Sequence, residues 1–340
     1  MFGRRRRHSC QEERHVNNIA VLGTGSYLPD RIVSNSEVGS GADVDSEWII
    51  RKTAIRERRW ALPDQATSDL ATHAASAALD AAGISADEVS AIVVATSTPD
   101  HPQPPTAAFV QHNLGARGAS AFDVNAVCSG FVFALSAVEA AIARAGGGYG
   151  LVVGADVYSR ILNPADRRTV VLFGDGAGAV VLGPSASGGL RRFGLHTFGD
   201  LTSLIRVPAG GSRQPYDPAA HELGAQYFTM DGRGVRAFVN GSLPVLVKQF
   251  LHDSGVAPDD ITHLIPHQAN GVMLAELAEE LGLVNATMHT TVRYYGNTGA
   301  ASIPITLDNA ARTGGIRPGD TVLLVGFGGG MAVGLTLVEW

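Results

Sequence analysis

The sequence is short of cysteine: two in 340 residues, Cys10 and Cys128. That excludes a secreted disulfide scaffold and suits a reducing cytosol, where a lone thiol stays free to work. Charge is also scarce. Only 17% of residues are Asp, Glu, Lys or Arg, against 45% hydrophobic, so global disorder is excluded and a large core can be buried. No positive excess exists: the net charge is −6, which argues against a nucleic-acid binder. A long unbroken apolar run is missing too. The nearest approach, 321–338, carries Gly326, Gly328, Gly329, Gly330 and Gly334. That density breaks a spanning helix and reads as two buried strands around a tight turn, so no membrane anchor is expected. No histidine pairs with a second histidine or cysteine at metal-ligand spacing, so no metal is expected. Gly23-Thr24-Gly25 lacks the third glycine of a dinucleotide fingerprint, with Leu28 in its place and Pro29 next.

What is present is a weak internal duplication. A helix ends at Gly83, followed by an acidic pair and the apolar run of Ala91, Ile92, Val93 and Val94. A second helix ends at Gly255, followed by Asp259, Asp260 and the run 261–265. Glycine ends each helix because it tolerates the left-handed conformation there. Leu114-Gly115 precedes the Cys128 region as Leu281-Gly282 precedes the Asn297 region, and the stretch 174–182 resembles 326–334. The chain therefore divides into a basic tail over 1–18, expected to be disordered, and two similar α/β halves over 19–185 and 186–340. The tail carries Arg4, Arg5, Arg6 and Arg7 with no apolar core after them, so it is no signal peptide; its sharper reading is a small anionic docking arm. Periodicity predicts helices over 68–82, 105–114, 129–145, 233–254, 270–281 and 300–314. It predicts strands over 19–26, 91–97, 121–125, 150–156, 177–183, 261–266 and 321–327.

Three residues stand out chemically. Cys128 follows a strand and precedes a long apolar helix, where the positive helix end favours the thiolate. A buried structural cysteine is the competing reading. His267 lies just past a buried strand, where α/β sites gather, although such a histidine is more often structural. Asn297 opens a helix 169 residues after Cys128 and is its counterpart in the second half; an ordinary N-cap asparagine is the alternative. Phe327-Gly328-Gly329-Gly330 can bring backbone N–H groups against a ligand, as an oxyanion hole needs, or make a tight hairpin.

Together these segments resemble the thiolase-fold condensing enzymes, and within them β-ketoacyl-acyl carrier protein synthase III. The resemblance runs over about residues 19–340. It rests on Cys128 in Asn-Ala-Val-Cys-Ser-Gly-Phe, His267 in Pro-His-Gln-Ala-Asn, Asn297 in Gly-Asn-Thr-Gly-Ala-Ala-Ser, and the terminal Phe-Gly-Gly-Gly. It implies a layered α-β-α-β-α core and a cytoplasmic homodimer. It implies acyl transfer from an acyl-coenzyme A to Cys128, then decarboxylative condensation with a malonyl thioester on coenzyme A or an acyl carrier protein. Coenzyme A thioesters are substrates; no cofactor is implied. The resemblance makes Cys128, His267 and Asn297 catalytic and gives the oxyanion hole to the N–H groups of Cys128 and Gly329. Trp48, Arg167, Ala269 and Asn270 would bind coenzyme A and its pantetheine arm. Pro104 and Phe327 would line the acyl pocket, with the 99–105 loop reaching the partner subunit's pocket.

The departures are as telling. Lys52 stands where an arginine is common, Arg168 where a glycine is, and Arg233 and Arg236 replace an asparagine and a phenylalanine of the tunnel wall. The helix that houses a basic carrier-protein patch carries Glu276, Glu279 and Glu280 here. An acidic carrier should dock poorly on it. A specialised pathway is implied, or a different starter or acceptor, or a carrier protein docking through Arg233, Arg236 and Lys248. Two other readings remain on the sequence alone: an acyltransferase that never releases carbon dioxide, and a non-catalytic partner subunit, for which an intact Cys–His–Asn set has no use.

Overall fold

The computed structural model describes residues 18–145 and 147–340, so the basic tail and Cys10 lie outside the described residues. The first half runs β1 (Asn18–Tyr27), β2 (Ile32–Ser34), α1 (Asn35–Ala42), α2 (Ser46–Thr53), β3 (Glu57–Arg59), α3 (Thr67–Ala82), β4 (Val89–Ala95), α4 (Thr106–Leu114), β5 (Ser120–Val124), α5 (Gly130–Arg144), β6 (Tyr149–Asp156) and β7 (Gly176–Ser185). There follow β8 (Gly189–Thr197), β9 (Ile205–Arg206), α6 (Pro218–Glu222), β10 (Thr229–Met230), α7 (Gly232–Gly241), α8 (Leu243–Ser254) and β11 (His263–Pro266). The chain closes with α9 (Gly271–Leu281), β12 (Thr287–Met288), α10 (Val292–Tyr295), α11 (Ser302–Arg312), β13 (Thr321–Gly328) and β14 (Ala332–Glu339).

Two five-stranded sheets carry the fold, in the orders β1-β7-β6-β4-β5 and β12-β11-β13-β14-β8. Read from the opposite edge, the second repeats the first. In each, an edge strand and its neighbour are antiparallel, that neighbour is antiparallel to the central strand, and two parallel strands complete the sheet. Helices α5 and α11 lie between the sheets. Phe131, Leu135, Val138 and Ile142 of α5 and Ile303 and Leu307 of α11 share one core with Val93, Val152 and Val180 from the first sheet and Ile265, Val322 and Leu324 from the second. Helices α3 and α4 cover the outer face of the first sheet, and α7, α8 and α9 that of the second. The layering is α-β-α-β-α.

This placement accounts for the composition of α5. The stretch Val127–Arg144 has a mean hydropathy of 1.6, enough to cross a membrane by length and composition. Half of that stretch is buried, its apolar side chains packed against both sheets, as a core helix requires. Close packing likewise accounts for Gly25: a Cβ there would lie 2.4 Å from the Ala74 carbonyl oxygen, so β1 and α3 meet backbone to backbone. Gly83 and Gly255 each end their helix at φ +67°.

Several expectations are corrected. The helix over 233–254 is two helices, α7 and α8, because Pro244 near the start of α8 offers no N–H to continue α7. Strand β4 ends at Ala95 instead of running to Ser97, because Thr96, Ser97 and Thr98 turn to donate to the buried Asp156 carboxylate. Strand β8 was not legible: only Gly189 is buried, and the exposed Arg191, Arg192 and His196 give no alternating pattern. Short elements α1, α2, β2 and β3 escaped as well, although Asp45 caps α2 by accepting the Trp48 N–H at 2.6 Å.

Candidate active site

The approach to Cys128 is tightly held. After β5, Asn125 Oδ1 accepts the Val127 N–H at 3.2 Å. Val127 then adopts φ +48°, a left-handed conformation that a β-branched side chain rarely takes. Cys128 sits in a single 3₁₀ turn, Val127–Ser129, that leads into α5. The end of β13 presses against it: a Cβ on Gly328 would lie 2.7 Å from the Cys128 Cβ, which only glycine avoids. Cys128 is 5% exposed. Burial, then the Asp156 charge, push it up to about 12, while the Tyr158 hydroxyl and the Cys128 backbone act the other way. The sequence expectation of a resting thiolate is thus corrected: desolvation outweighs the helix terminus.

His267 follows β11, and its N–H donates to the Val325 carbonyl at 2.8 Å, locking it to β13. The ring is buried, and burial lowers its pKa to about 3, so it is neutral. Nδ1 lies 2.7 Å from Ser302 Oγ, which also accepts the Gln268 N–H at 3.3 Å. Phe327 meets the ring edge-on at 5.1 Å. Asn297 is stitched to the first half. Its N–H donates to the Leu172 carbonyl at 2.8 Å and its carbonyl accepts the Gly174 N–H at 3.0 Å. Its Oδ1 accepts the Gly299 N–H at 2.9 Å, which leaves the Nδ2 amide as its working end.

Asp156 joins the two halves behind these groups. It is fully buried. Oδ1 accepts from the hydroxyls of Thr96, Ser97 and Thr98 and from the N–H groups of Ser97 and Thr98 at 2.8–3.1 Å. Oδ2 accepts the Ala300 N–H, from the second half, at 2.7 Å. Burial pushes its pKa up against those donors. The Tyr158 hydroxyl meets Ser97 Oγ at 2.8 Å.

Cys128, His267 and Asn297 line one cavity of about 120 Å³. Ala269, Asn270, Phe327 and Gly328 are on its wall. Asn270 also caps α9, its Oδ1 accepting the Met273 N–H at 2.9 Å. Trp48 and Arg167 stand together off the cavity wall, the guanidinium 5.9 Å from the indole centroid. Gly329 is buried next to Gly328 but is not on the wall. Pro104 is exposed and does not reach this cavity within one chain. Sequence reasoning missed Ser302, which only the fold brings to His267. It also missed the aromatic floor, where Tyr158 stacks on Phe173 at 4.4 Å and Phe228 meets both edge-on. Of these, Phe173 and Phe228 line the cavity.

Comparison with known proteins agrees with this geometry. Residues 122–199 match the family model of 3-oxoacyl-[acyl-carrier-protein] synthase III, and residues 251–340 match that of its C-terminal region. The chain is 66% identical over 323 residues to the acetoacetyl CoA synthase NphT7 of a Streptomyces species, covering 94% of this chain and 98% of that protein. It is 43% identical to β-ketoacyl-[acyl-carrier-protein] synthase III 3 of Streptomyces coelicolor, covering 94% and 96%. Among solved structures, the synthase III of Pseudomonas aeruginosa superposes with a TM-score of 0.86 at 38% identity, covering 95% of this chain and 98% of that one. The priming β-ketosynthase of the R1128 polyketide pathway does so with a TM-score of 0.88 at 32% identity, covering 95% and 96%. The chain belongs to the 3-oxoacyl-[acyl-carrier-protein] synthase III family and is a thiolase-fold, acyl-transferring condensing enzyme.

Proposed function

We propose that this enzyme loads a short acyl group from coenzyme A onto Cys128 and condenses it with a malonyl thioester, releasing carbon dioxide and a β-ketoacyl thioester. One observation carries the reading: a buried thiol, a neutral imidazole and an amide converge on one small apolar-walled cavity, each with its other side anchored. The relative named acetoacetyl CoA synthase supports a two-carbon starter.

In the first step Cys128 Sγ bonds to the acyl carbonyl carbon, the bond to coenzyme A sulfur breaks, and the thiol proton leaves with the released coenzyme A. A malonyl thioester then enters. We assign the Ser302 hydroxyl as donor to His267 Nδ1, which keeps the ring proton on Nε2. His267 Nε2–H and Asn297 Nδ2–H then donate to the malonyl thioester oxygen as the carboxylate departs and the enolate forms. A neutral imidazole suits this role because it needs no prior protonation. The enolate carbon attacks the acyl–Cys128 carbonyl. The N–H groups of Cys128 and Gly329 hold the resulting oxyanion until it collapses, the carbon–Sγ bond breaks, and the Cys128 thiolate takes a proton from solvent. Apolar walls at Leu172, Phe173, Phe228 and Phe327 favour loss of the charged carboxylate.

The same reading makes the protein a cytoplasmic homodimer. β5 is a sheet edge paired on one side only, and Phe122 on it is 41% exposed. Asp123 of that strand accepts the N–H groups of Thr106 and Ala107 at 2.7 and 2.8 Å, which ties the Pro104 loop to the same edge.

Intact-mass spectrometry with a panel of acyl-coenzyme A thioesters, chased with malonyl thioester, tests the chemistry. An adduct that is lost in Cys128→Ala and is converted to a β-ketoacyl product is expected. An adduct that survives the chase but passes to another acceptor would make the protein a simple acyltransferase.

A further inference from the structure

Cys128 must lose its thiol proton when it takes an acyl group, and its two partners in the cavity are poor acceptors. His267 is a weak base at about 3, and Asn297 is an amide. Behind the thiol lies a chain of hydroxyls that the steps above leave unused. The Tyr158 hydroxyl is hydrogen-bonded to the Cys128 side chain. It meets Ser97 Oγ at 2.8 Å, and Ser97 Oγ donates to Asp156 Oδ1 at 3.1 Å. A hydroxyl has one hydrogen. Ser97 gives its own to Asp156, so it accepts from Tyr158, and Tyr158 then offers only its oxygen lone pairs to the thiol. The hydrogens run one way, from Cys128 Sγ–H through Tyr158 and Ser97 to the carboxylate. Packing fixes the chain in place. Tyr158 and Asp156 are buried, and Tyr158 stacks on Phe173 of the cavity wall at 4.4 Å. A Cβ on Gly299 would lie 2.4 Å from Tyr158 Cε2 and 2.2 Å from Asp156 Oδ2, so glycine at this position lets both approach.

We propose that Asp156 takes the Cys128 proton through Ser97 and Tyr158 while the acyl group is loaded, Tyr158 being a catalytic residue that touches the reacting sulfur and Ser97 and Asp156 positioning residues behind it. This rests on the loading of Cys128 from coenzyme A described above. As Sγ bonds to the acyl carbonyl carbon, its proton passes to Tyr158 Oη, the Tyr158 proton to Ser97 Oγ, and the Ser97 proton to Asp156 Oδ1. When the tetrahedral adduct collapses, the bond to the coenzyme A sulfur breaks. The protons then shift back, and Tyr158 delivers one to that departing sulfur, which leaves as a thiol. No proton is gained or lost over the step. Charge decides the route. Burial and then the Asp156 charge oppose a thiolate at Cys128. Release of the proton to solvent would leave two anions in one dry site. Transfer to Asp156 leaves one throughout and removes the charge that opposed the thiolate. Burial also raises the Asp156 carboxyl, which makes it a better acceptor than an ordinary carboxylate. Burial keeps the Tyr158 hydroxyl neutral, so it passes a proton on and holds no negative charge.

Rapid-quench mass spectrometry separates the loading of Cys128 by acetyl-coenzyme A from the later condensation with malonyl-coenzyme A. Tyr158→Phe keeps the ring on Phe173 and should slow loading roughly a hundredfold, the contribution of a positioned acid–base group. Ser97→Ala should slow it roughly tenfold, and Ser97→Thr, which retains the hydroxyl, should recover part of the rate. Condensation from fully loaded enzyme starts with no S–H to lose, so each variant should slow it less than loading. In mixtures of light and heavy water the wild-type loading rate should fall along a curve, because several protons move together, and in Tyr158→Phe along a straight line. Loading in Tyr158→Phe at the wild-type rate overturns the proposal, as does a straight line in wild type. Equal slowing of both steps would make Tyr158 a packing residue and overturns it as well. Wild-type enzyme that forms no adduct with any acyl-coenzyme A sinks the loading reading itself, and the proposal with it.

Discussion

At the residue scale, His267 and Ser302 form the most informative pair. Ser302→Ala removes the group 2.7 Å from Nδ1 and leaves the imidazole free to change tautomer. Condensation should slow about tenfold to a hundredfold, from about 1–3 kcal/mol of lost positioning, while the Cys128 adduct still forms. Rapid-quench measurement of both steps checks this, and Ser302→Thr should recover part of the rate. Burial makes a second, acid-side prediction. The folded pKa of His267 is about 3 against 6.5, so the unfolded chain takes up the proton first as pH falls. Stability from this group is complete above about pH 6.5 and is lost below it, by about 1.4 kcal/mol per pH unit. Urea unfolding at two pH values should show that excess loss in wild type and not in His267→Gln; equal slopes would refute the neutral buried ring. For the same reason His267 adds no inflection to the condensation rate between about pH 5 and about pH 8. The sequence displayed Cys128, His267 and Asn297 because each stands in a distinctive local string. It hid Ser302, Tyr158 and Phe228, because only tertiary packing gives a serine, a tyrosine or a phenylalanine its neighbours. The thiol's protonation state was hidden for the same reason: a helix start is readable in sequence, and the depth of burial around it is not.

At the scale of elements, Arg58 on β3 shows how a short, unanticipated strand supports the site. Its guanidinium is fully buried, and burial lowers its pKa to about 10. It donates to the Val171 carbonyl and to Asn35 Oδ1, both at 2.8 Å, which moors the segment that delivers Leu172 and Phe173 to the cavity. Arg58→Met leaves those buried acceptors without a donor and should cost about 2–4 kcal/mol in urea unfolding. A loss below about 0.5 kcal/mol would show that the segment holds itself. Strong periodicity made α3, α4, α5 and α9 readable to within a residue or two. The three-residue strands β2 and β3 carry no period long enough to detect, and the break between α7 and α8 turned on a single proline.

At the scale of the whole molecule, the repeated sheet order explains why the site needs both halves. Cys128 comes from one and His267 and Asn297 from the other, with Asp156 spanning the seam. The exposed edge at β5 points to assembly. Phe122→Asp should convert a dimer to a monomer by light scattering, and a wild-type protein that is monomeric at micromolar concentration would refute the pairing. The duplication itself was legible, because repeated glycine stops and apolar runs survive divergence, whereas the fit between copies was not. The burial of α5 between two sheets also has a temporal side. Its second face meets strands that end only at Glu339, so a ribosome adding about 5–20 residues per second leaves that face bare for roughly 10–40 s. The most apolar helix of the protein is thus a hazard of birth and not of maturity, and chains released before β14 is made are the ones that should need a chaperone.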